Sequence, residues 1–374
     1  MLALFRCDVV ANARDVFSRA VLFAPRNRTL LKLAAVLVCF LEAGCIHAYA
    51  SNASRLQKLV TGGYLTASST NAAFYVETSS RTDDVILIDF KSKALKKLSS
   101  HGRRLGYPSL SLDGERLLLV RQDPHTGESE LLSCEITNLI CRRLFATKLS
   151  IVDPVGIGAD RIVYVSSDPG ARFDYADNDL WLFETGKEPR PITDLQFHVL
   201  TRLSVTSSHI YFSALGPHPG KEAIPKYKPL EDASSSIYRL PFDSHTGVVT
   251  VPATQLSPLF VAERSKSNSP SIAFDETFAA FLRTDRYRKG GFRFDLVVQS
   301  LTTSASILFK SAGIGFSRPV VVGSTVVAND LLDDRYIIKR LLPGKTSLQT
   351  EIEVTDDEIA RLPATEIIIE NESR

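Results

Sequence analysis

Short runs suited to β-strands recur along this chain at a spacing that few architectures can accommodate. Residues 73–76 (AFYV), 85–90 (VILIDF), 116–120 (RLLLV), 161–165 (RIVYV), 209–212 (HIYF), 278–282 (FAAFL) and 294–298 (FDLVV) are apolar or β-branched, and turn signals separate them. Beyond residue 51 no stretch keeps apolar residues at helical spacing for more than two turns. About four such runs fall in each unit of about 40–55 residues, which is the grain of a propeller blade rather than of a sandwich. The chain is therefore read as all-β.

One unit can be followed in full. Residues 107–120 (YPSLSLDGERLLLV) give a strand, a turn at Asp113-Gly114 and a second strand. Glycine takes φ > 0 without steric cost, so this dipeptide reverses the chain readily. Residues 130–135 and 140–144 then form a hairpin. The same layout returns at 71–98, at 160–193 (with NDLWL over 178–182 and RPIT over 190–193) and at 271–298. Units begin near Gly63, Tyr107, Asp153, Thr201, Pro270 and Arg318, with insertions over 216–236 and 261–269. The expectation is a six-bladed β-propeller of four-stranded antiparallel blades over residues 51–355, followed by an unassigned tail over 356–374. Leu56 and Leu59 repeat the spacing of Leu95 and Leu98, so residues 56–60 are expected to pair with the last unit, around 325–354. The tail beyond Pro363 is expected to matter less to stability.

The order Pro-x-Leu-Ser-x-Asp-Gly-x-Arg-Leu at 108–117, then Asp-Leu-Trp-Leu at 179–182 and Arg-Pro-Ile-Thr at 190–193, resembles the WD40-like (PD40) repeat of TolB-type six-bladed propellers. The resemblance covers the propeller part alone. It implies a binding or scaffolding role toward a protein partner in the bacterial cell envelope.

Residues 1–50 read as a leader. The run 33–41 (LAAVLVCFL) is shorter than the ~20 apolar residues that span a bilayer. It matches the apolar stretch of a signal peptide, with Arg26, Arg28 and Lys32 before it and Ala48-Tyr49-Ala50 after it. Cleavage is placed after Ala50, and the periplasm is the expected destination. Anchoring by a lipid on Cys45 is the alternative, although Glu42 stands where such a signal prefers an aliphatic residue. The chain carries 44 Lys+Arg against 42 Asp+Glu. No global field therefore draws it to nucleic acid, no membrane span is expected in the mature protein, and a monomer is expected.

Of five cysteines only Cys134 and Cys141 lie beyond the leader. Counting outward from a two-residue turn at Thr137-Asn138 sets them opposite each other. That predicts a cross-strand disulfide at a hydrogen-bonded pair, where Cα atoms stand ~5.5 Å apart. Two free, half-buried thiols are the alternative.

Linear catalytic motifs are absent: H-E-x-x-H, G-x-S-x-G, P-loop, G-x-G-x-x-G and EF-hand patterns do not occur. No catalytic residue is nominated. A propeller enzyme, lactonase-like or a polysaccharide lyase with a metal at the channel mouth, remains the second reading, because such sites gather single residues from several blades. Asp168, Asp174, Asp177 and Asp179 crowd one loop, and carboxylates at that density suit Ca²⁺. A solvated turn is the preferred reading, since the Asp-x-Asx-x-Asx-Gly spacing is missing, and no cofactor is expected. Two segments are candidate partner contacts. The proline-stiffened loop 216–230 offers His218, Lys221, Lys226 and Tyr227, and the basic run 283–293 offers Arg286, Arg288 and Lys289.

Overall fold

The computed structural model describes residues 64–77, 83–111, 113–158, 160–166, 178–194, 199–215, 235–250, 258–260, 266–273, 275–286, 292–303 and 305–370. The leader expected over 1–50 and the strand expected over 56–60 lie outside them. Almost all regular structure is antiparallel sheet built from successive hairpins. The first sheet runs β1 (Thr66–Ala67), β2 (Asn71–Glu77), β3 (Asp83–Asp89), β4 (Leu95–Ser99), and the second β5 (Arg104–Leu110), β6 (Arg116–Gln122), β7 (Ser129–Glu135), β8 (Ile140–Thr147). The third is β9 (Val152–Ile157), β10 (Arg161–Ser166), β11 (Asp179–Glu184), β12 (Arg190–Pro191). In the fourth, β13 (Val199–Val205), β14 (His209–Leu215) and β15 (Ser235–Asp243) are edged by β16 (Val248–Val249) and β17 (Pro258–Phe260). Residues 235–236 and 266–269, read as insertion, are thus strand.

A nine-stranded sheet follows, in which two meanders are linked. One is β18 (Lys266–Ile272), β19 (Phe278–Arg286), β20 (Phe292–Ser300) and β21 (Ser306–Phe309). The short β22 (Gly315–Phe316) bridges β20 to the next, which is β23 (Val320–Val322), β24 (Thr325–Leu331), β25 (Arg335–Leu341) and β26 (Gln349–Thr355).

The unbroken apolar runs of the sequence have a simple cause. Successive side chains of a strand point to opposite faces, and here both faces are covered. Along β6, Leu117 and Leu119 pack with Ala73, Val85 and Leu87 of the first sheet, while Leu118 and Val120 pack with Ile162 and Tyr164 of the third. Val163 and Val165 then meet Ile210 and Phe212, Tyr211 and Ile237 meet Ala279 and Phe281, and Ala280 and Leu282 meet Val326 and Ala328. The last cluster returns to the start, with Val327, Tyr336 and Ile338 packed on Phe74, Ile86 and Ile88. The innermost strands follow the same closed cycle: β1 adjoins β5, then come β9, β13, β18 and β23, and β23 adjoins β1.

The tail is ordered and paired. Thr355 caps the helix α1 (Asp356–Arg361) in a reciprocal box with Glu358, and three acidic residues in its first turn complement the helix dipole. Ile359 enters the cluster between first and last strands. Then β27 (Ala364–Glu366) adds in parallel to β4, and β28 (Ile368–Ile369) adds in parallel to β8. Ile367 between them is buried against Leu98 and Cys141.

Cys134 and Cys141 are bonded, with S–S 2.02 Å. The turn differs from the sequence-based expectation. The loop covers 136–139 and is closed by the Leu139 N–H donating to the Glu135 carbonyl at 2.9 Å. In this wider loop the cysteine Cα atoms are 3.9 Å apart, closer than the ~5.5 Å of a hydrogen-bonded pair and nearer the ~4.5 Å of a non-hydrogen-bonded one.

Candidate functional site at the inner strands

A register shift recurs on the innermost strands. It falls between Gly106 and Ser109 in β5, between Thr201 and Ser204 in β13, between Asn268 and Ser271 in β18, and opposite Val163 and Val165 in β9. The break between β22 and β23 holds Arg318. Tyr107, Asp153 and Arg202 take left-handed φ values of 48°, 48° and 67° at these shifts. A bulge re-aims its side chain, so these residues leave the sheet faces. The hydroxyl two residues on secures the arrangement in three places. Thr66 accepts from Leu110 N at 2.9 Å, Ser204 from Ile272 N at 3.1 Å and Ser271 from Val321 N at 2.8 Å. By this spacing Tyr64, Tyr107, Asp153, Arg202, Ser269 and Arg318 occupy equivalent positions.

Five of them converge. The Tyr64 ring stands edge-on to Tyr107 with centroids 4.7 Å apart, and the Arg202 guanidinium lies over the Tyr64 ring at 4.1 Å. Arg318 Nη1 donates to Asp153 Oδ1 at 3.1 Å, while the Arg202 backbone N–H donates to Asp153 Oδ2 and Arg318 Nη2 to the Leu203 carbonyl. Asp153 is 3% exposed, whereas Tyr64, Tyr107, Arg202 and Arg318 are only partly buried. The carboxylate is thus buried, held by the Arg318 guanidinium and the Arg202 backbone N–H.

Burial pushes the Tyr64 hydroxyl up, with the Asp153 charge adding to it and Arg202 opposing. Tyr107 is pushed well above the ordinary tyrosine range, first by burial and then by Tyr64 and Asp153. Both are therefore neutral hydroxyls at physiological pH. Burial also lowers Arg318, Asp153 opposes this, and the Arg202 charge adds to it. Among the described residues, Arg318 Nε is buried without a hydrogen-bond partner, as are Ser317 Oγ and both side-chain polar atoms of Asn329 on the adjoining strand. Unpaired buried polar atoms of this kind call for a water or a ligand group.

This constellation was not nominated from the sequence. A signal for it existed: Tyr107, Asp153, Ser269 and Arg318 each precede a proline, and proline lacks the N–H that an inner-edge strand does not need. Of the nominated residues, His218, Lys221, Lys226, Tyr227, Arg288, Lys289, Asp168, Asp174 and Asp177 lie outside the described residues. Arg286 ends β19, opposite Phe292. Asp179 opens β11 and accepts from the Thr193 hydroxyl at 3.2 Å. Among the described residues, no group of three or more His, Cys, Asp or Glu is placed to hold a metal ion.

Two other polar groupings are structural. Ser208, His209 and Glu276 meet where the fourth and fifth units touch, but Ser208 Oγ and Glu276 Oε1 both contact His209 Nδ1, at 2.9 and 2.8 Å. A serine activated by histidine needs the hydroxyl on one ring nitrogen and the carboxylate on the other, so this set is a latch. A groove of 720 Å³ between the first and second sheets is lined by Asp89, Asp113 and Glu135 among others. Asp89 accepts from the Lys91 and Ser92 N–H groups, and Asp113 from the Glu115 N–H, so these two carboxylates serve their own turns.

No protein-family model matches the chain, and no curated protein matches it in sequence. Solved structures do. TolB from Acinetobacter baumannii is similar over 75% of this chain and 62% of its own, at 13% identity and a TM-score of 0.50. Hydrazine synthase from Kuenenia stuttgartiensis is similar over 74% of this chain and 42% of its own, at 13% identity and a TM-score of 0.53. The chain thus spans under two thirds of either protein, and likeness at this identity speaks to fold. That fold is a TolB-like β-propeller.

Proposed function

We propose that the chain is an exported six-bladed propeller that binds a protein partner in the bacterial envelope through the inner-strand site. The convergence of Tyr64, Tyr107, Arg202 and Arg318 carries the reading, because partly buried tyrosine and arginine are the residue types that dominate protein recognition energetically. Successive antiparallel meanders, joined by apolar clusters in a closed cycle, support the reading of six blades with these side chains on the innermost strands. Export rests on the basic, apolar and Ala48-Tyr49-Ala50 succession ahead of Ser51. A lipid on Cys45 would hold the same propeller at a membrane surface.

Two measurements test this. Mass spectrometry of the exported protein is expected to find Ser51 at the N-terminus; retention of residues 33–46 overturns the cleavage, and a lipid on Cys45 replaces a soluble protein with an anchored one. A photo-crosslinking residue placed on the rim beside Tyr107 is expected to capture one envelope protein, with capture lost in Arg202→Ala. Capture unaffected by that substitution would remove the inner-strand site from the reading.

A further inference from the structure

We propose that Asp153 is the positioning residue of the inner-strand site and acts by clamping opposite inner strands of the ring together, an inference that rests on the binding role just argued. The innermost strands follow one another in the closed cycle β1, β5, β9, β13, β18, β23. Asp153 of β9 and Arg318, just ahead of β23, are three steps apart whichever way that cycle is followed. So are Tyr64, just ahead of β1, and Arg202 of β13. Positions three steps apart in a cycle of six stand on opposite sides of it. The bond from Arg318 Nη1 to Asp153 Oδ1 at 3.1 Å, and the Arg202 guanidinium at 4.1 Å from the Tyr64 ring centroid, are therefore both links across the ring.

Asp153 joins the two links. Its Oδ1 accepts from Arg318 on the opposite side, its Oδ2 accepts the Arg202 backbone N–H from the next inner strand, and Arg318 Nη2 donates to the Leu203 carbonyl beside Arg202. One carboxylate, 3% exposed, thus engages two other positions of the ring at once. Asp153 and Arg202 also hold left-handed φ values of 48° and 67°, which a residue other than glycine keeps only where its surroundings enforce them. The bond between them supplies part of that enforcement. Hydrogen bonds from a guanidinium to a carboxylate are stronger than neutral ones, and with the Arg318 side chain 14% exposed water screens this pair little. Tyr64 and Arg202 are partly exposed and form what a partner meets, whereas Asp153 is out of its reach. The clamp sets where the contact layer stands without touching what docks on it.

The test reads ring width and partner capture in the same mature protein. Spin labels at Asp160→Cys and Ser324→Cys occupy exposed turns that follow β9 and β23, on opposite sides of the cycle, and pulsed electron resonance gives the distance between them. Cys134 and Cys141 are bonded, so the introduced cysteines are the free thiols available for labelling. Asp153→Asn keeps an acceptor for the Arg202 N–H but removes the charge that holds Arg318. It is expected to broaden the distance distribution and to lower photo-crosslinking from the rim beside Tyr107 at least fivefold. Arg318→Lys, which keeps the charge but not the fork, is expected to fall between the parent and Arg318→Met in both readings. In the Arg318→Met background, Asp153→Asn is expected to change crosslinking less than twofold, because the clamp is already released. A merely structural aspartate would lower the melting temperature without this order or this non-additivity. Should Asp153→Asn not fold, the Arg318 series carries the same test. An unchanged distance distribution in Arg318→Met, additive effects on crosslinking, or full crosslinking from a broadened ring would each overturn the proposal. A distribution that broadens as expected in a protein whose parent form captures no partner would instead sink the protein-binding role and leave the clamp standing.

Discussion

Gly114 shows how one backbone position can tie two sheets together. It takes φ +75°, and a Cβ there would lie 2.6 Å from Ser68 Oγ and 2.8 Å from Thr70 Oγ1 of the neighbouring sheet. Gly114→Ala is expected to destabilise the protein by about 1–3 kcal/mol, because it adds a strained backbone to a steric conflict. Chemical denaturation checks this; an unchanged midpoint would mean that the first two sheets separate freely at the turn. Glu130 is the corresponding charged position. It is 2% exposed and faces Arg121 Nε at 2.5 Å, Arg103 Nη1 at 3.0 Å and Arg143 Nη1 at 3.3 Å. Burial pushes its carboxyl up, but the hydrogen bond and charge of Arg121, together with Arg143 and Arg103, outweigh this and hold it below its ordinary value. A depressed carboxyl contributes stability that is present above its unfolded pKa of about 4.3 and is lost as pH falls through the lower folded value. Glu130→Gln should therefore cost about 3 kcal/mol at neutral pH and show a flatter decline of stability below pH 4 than the parent. Parallel stability–pH curves for the two proteins would count against that account.

At the scale of elements, the tail changes how the outer edges are understood. An exposed outer strand offers unpaired N–H and C=O groups to other chains, and β27 and β28 cover two such edges, at β4 and β8. Ile367 N donates to Ser99 O at 3.1 Å and Glu370 N to Cys141 O at 2.9 Å, so the strap is secured by backbone pairing as well as by the buried Ile367 side chain. Truncation after Pro363 is expected to lower the melting temperature by several degrees and to raise the tendency to associate, measured by light scattering. A truncated protein as stable and as monodisperse as the parent would restore the view that the tail matters little. The disulfide lies under the same strap, and closing its eight-residue loop contributes about 2.5 kcal/mol by chain entropy.

At the scale of the whole molecule, the cycle of clusters predicts cooperative unfolding. The seam between the first and last strands is apolar, with Phe74 and Tyr336 at a centroid distance of 4.9 Å, both largely buried. Phe74→Ala should cost about 3–5 kcal/mol and preserve one unfolding transition, because opening the seam exposes neighbouring clusters in turn. Calorimetry resolving two transitions in the parent protein, or a shift under 1 kcal/mol in the variant, would show that the ends do not hold the ring.

Strand positions, the Asp113-Gly114 turn and the near-repeat of units were legible because they are local. Alternation, β-branched content and turn residues act over a few positions, whereas coverage of both strand faces in runs such as 116–120 came from the neighbouring sheets. The pairing of Cys134 with Cys141 could also be counted from its turn, although the loop's width, and with it the 3.9 Å spacing, depended on how Leu139 closes it. The inner-strand site was not legible. Tyr64, Tyr107, Asp153, Arg202 and Arg318 stand dozens of residues apart, the proline after three of them marks only an inner-edge strand, and only closure of the ring brings their bulges to one place. The tail illustrates the same limit: its strands are two and three residues long, too short to carry a pattern, and their register comes from edges supplied by β4 and β8. Local propensity wrote the strands, whereas burial between distant units decided which side chains meet.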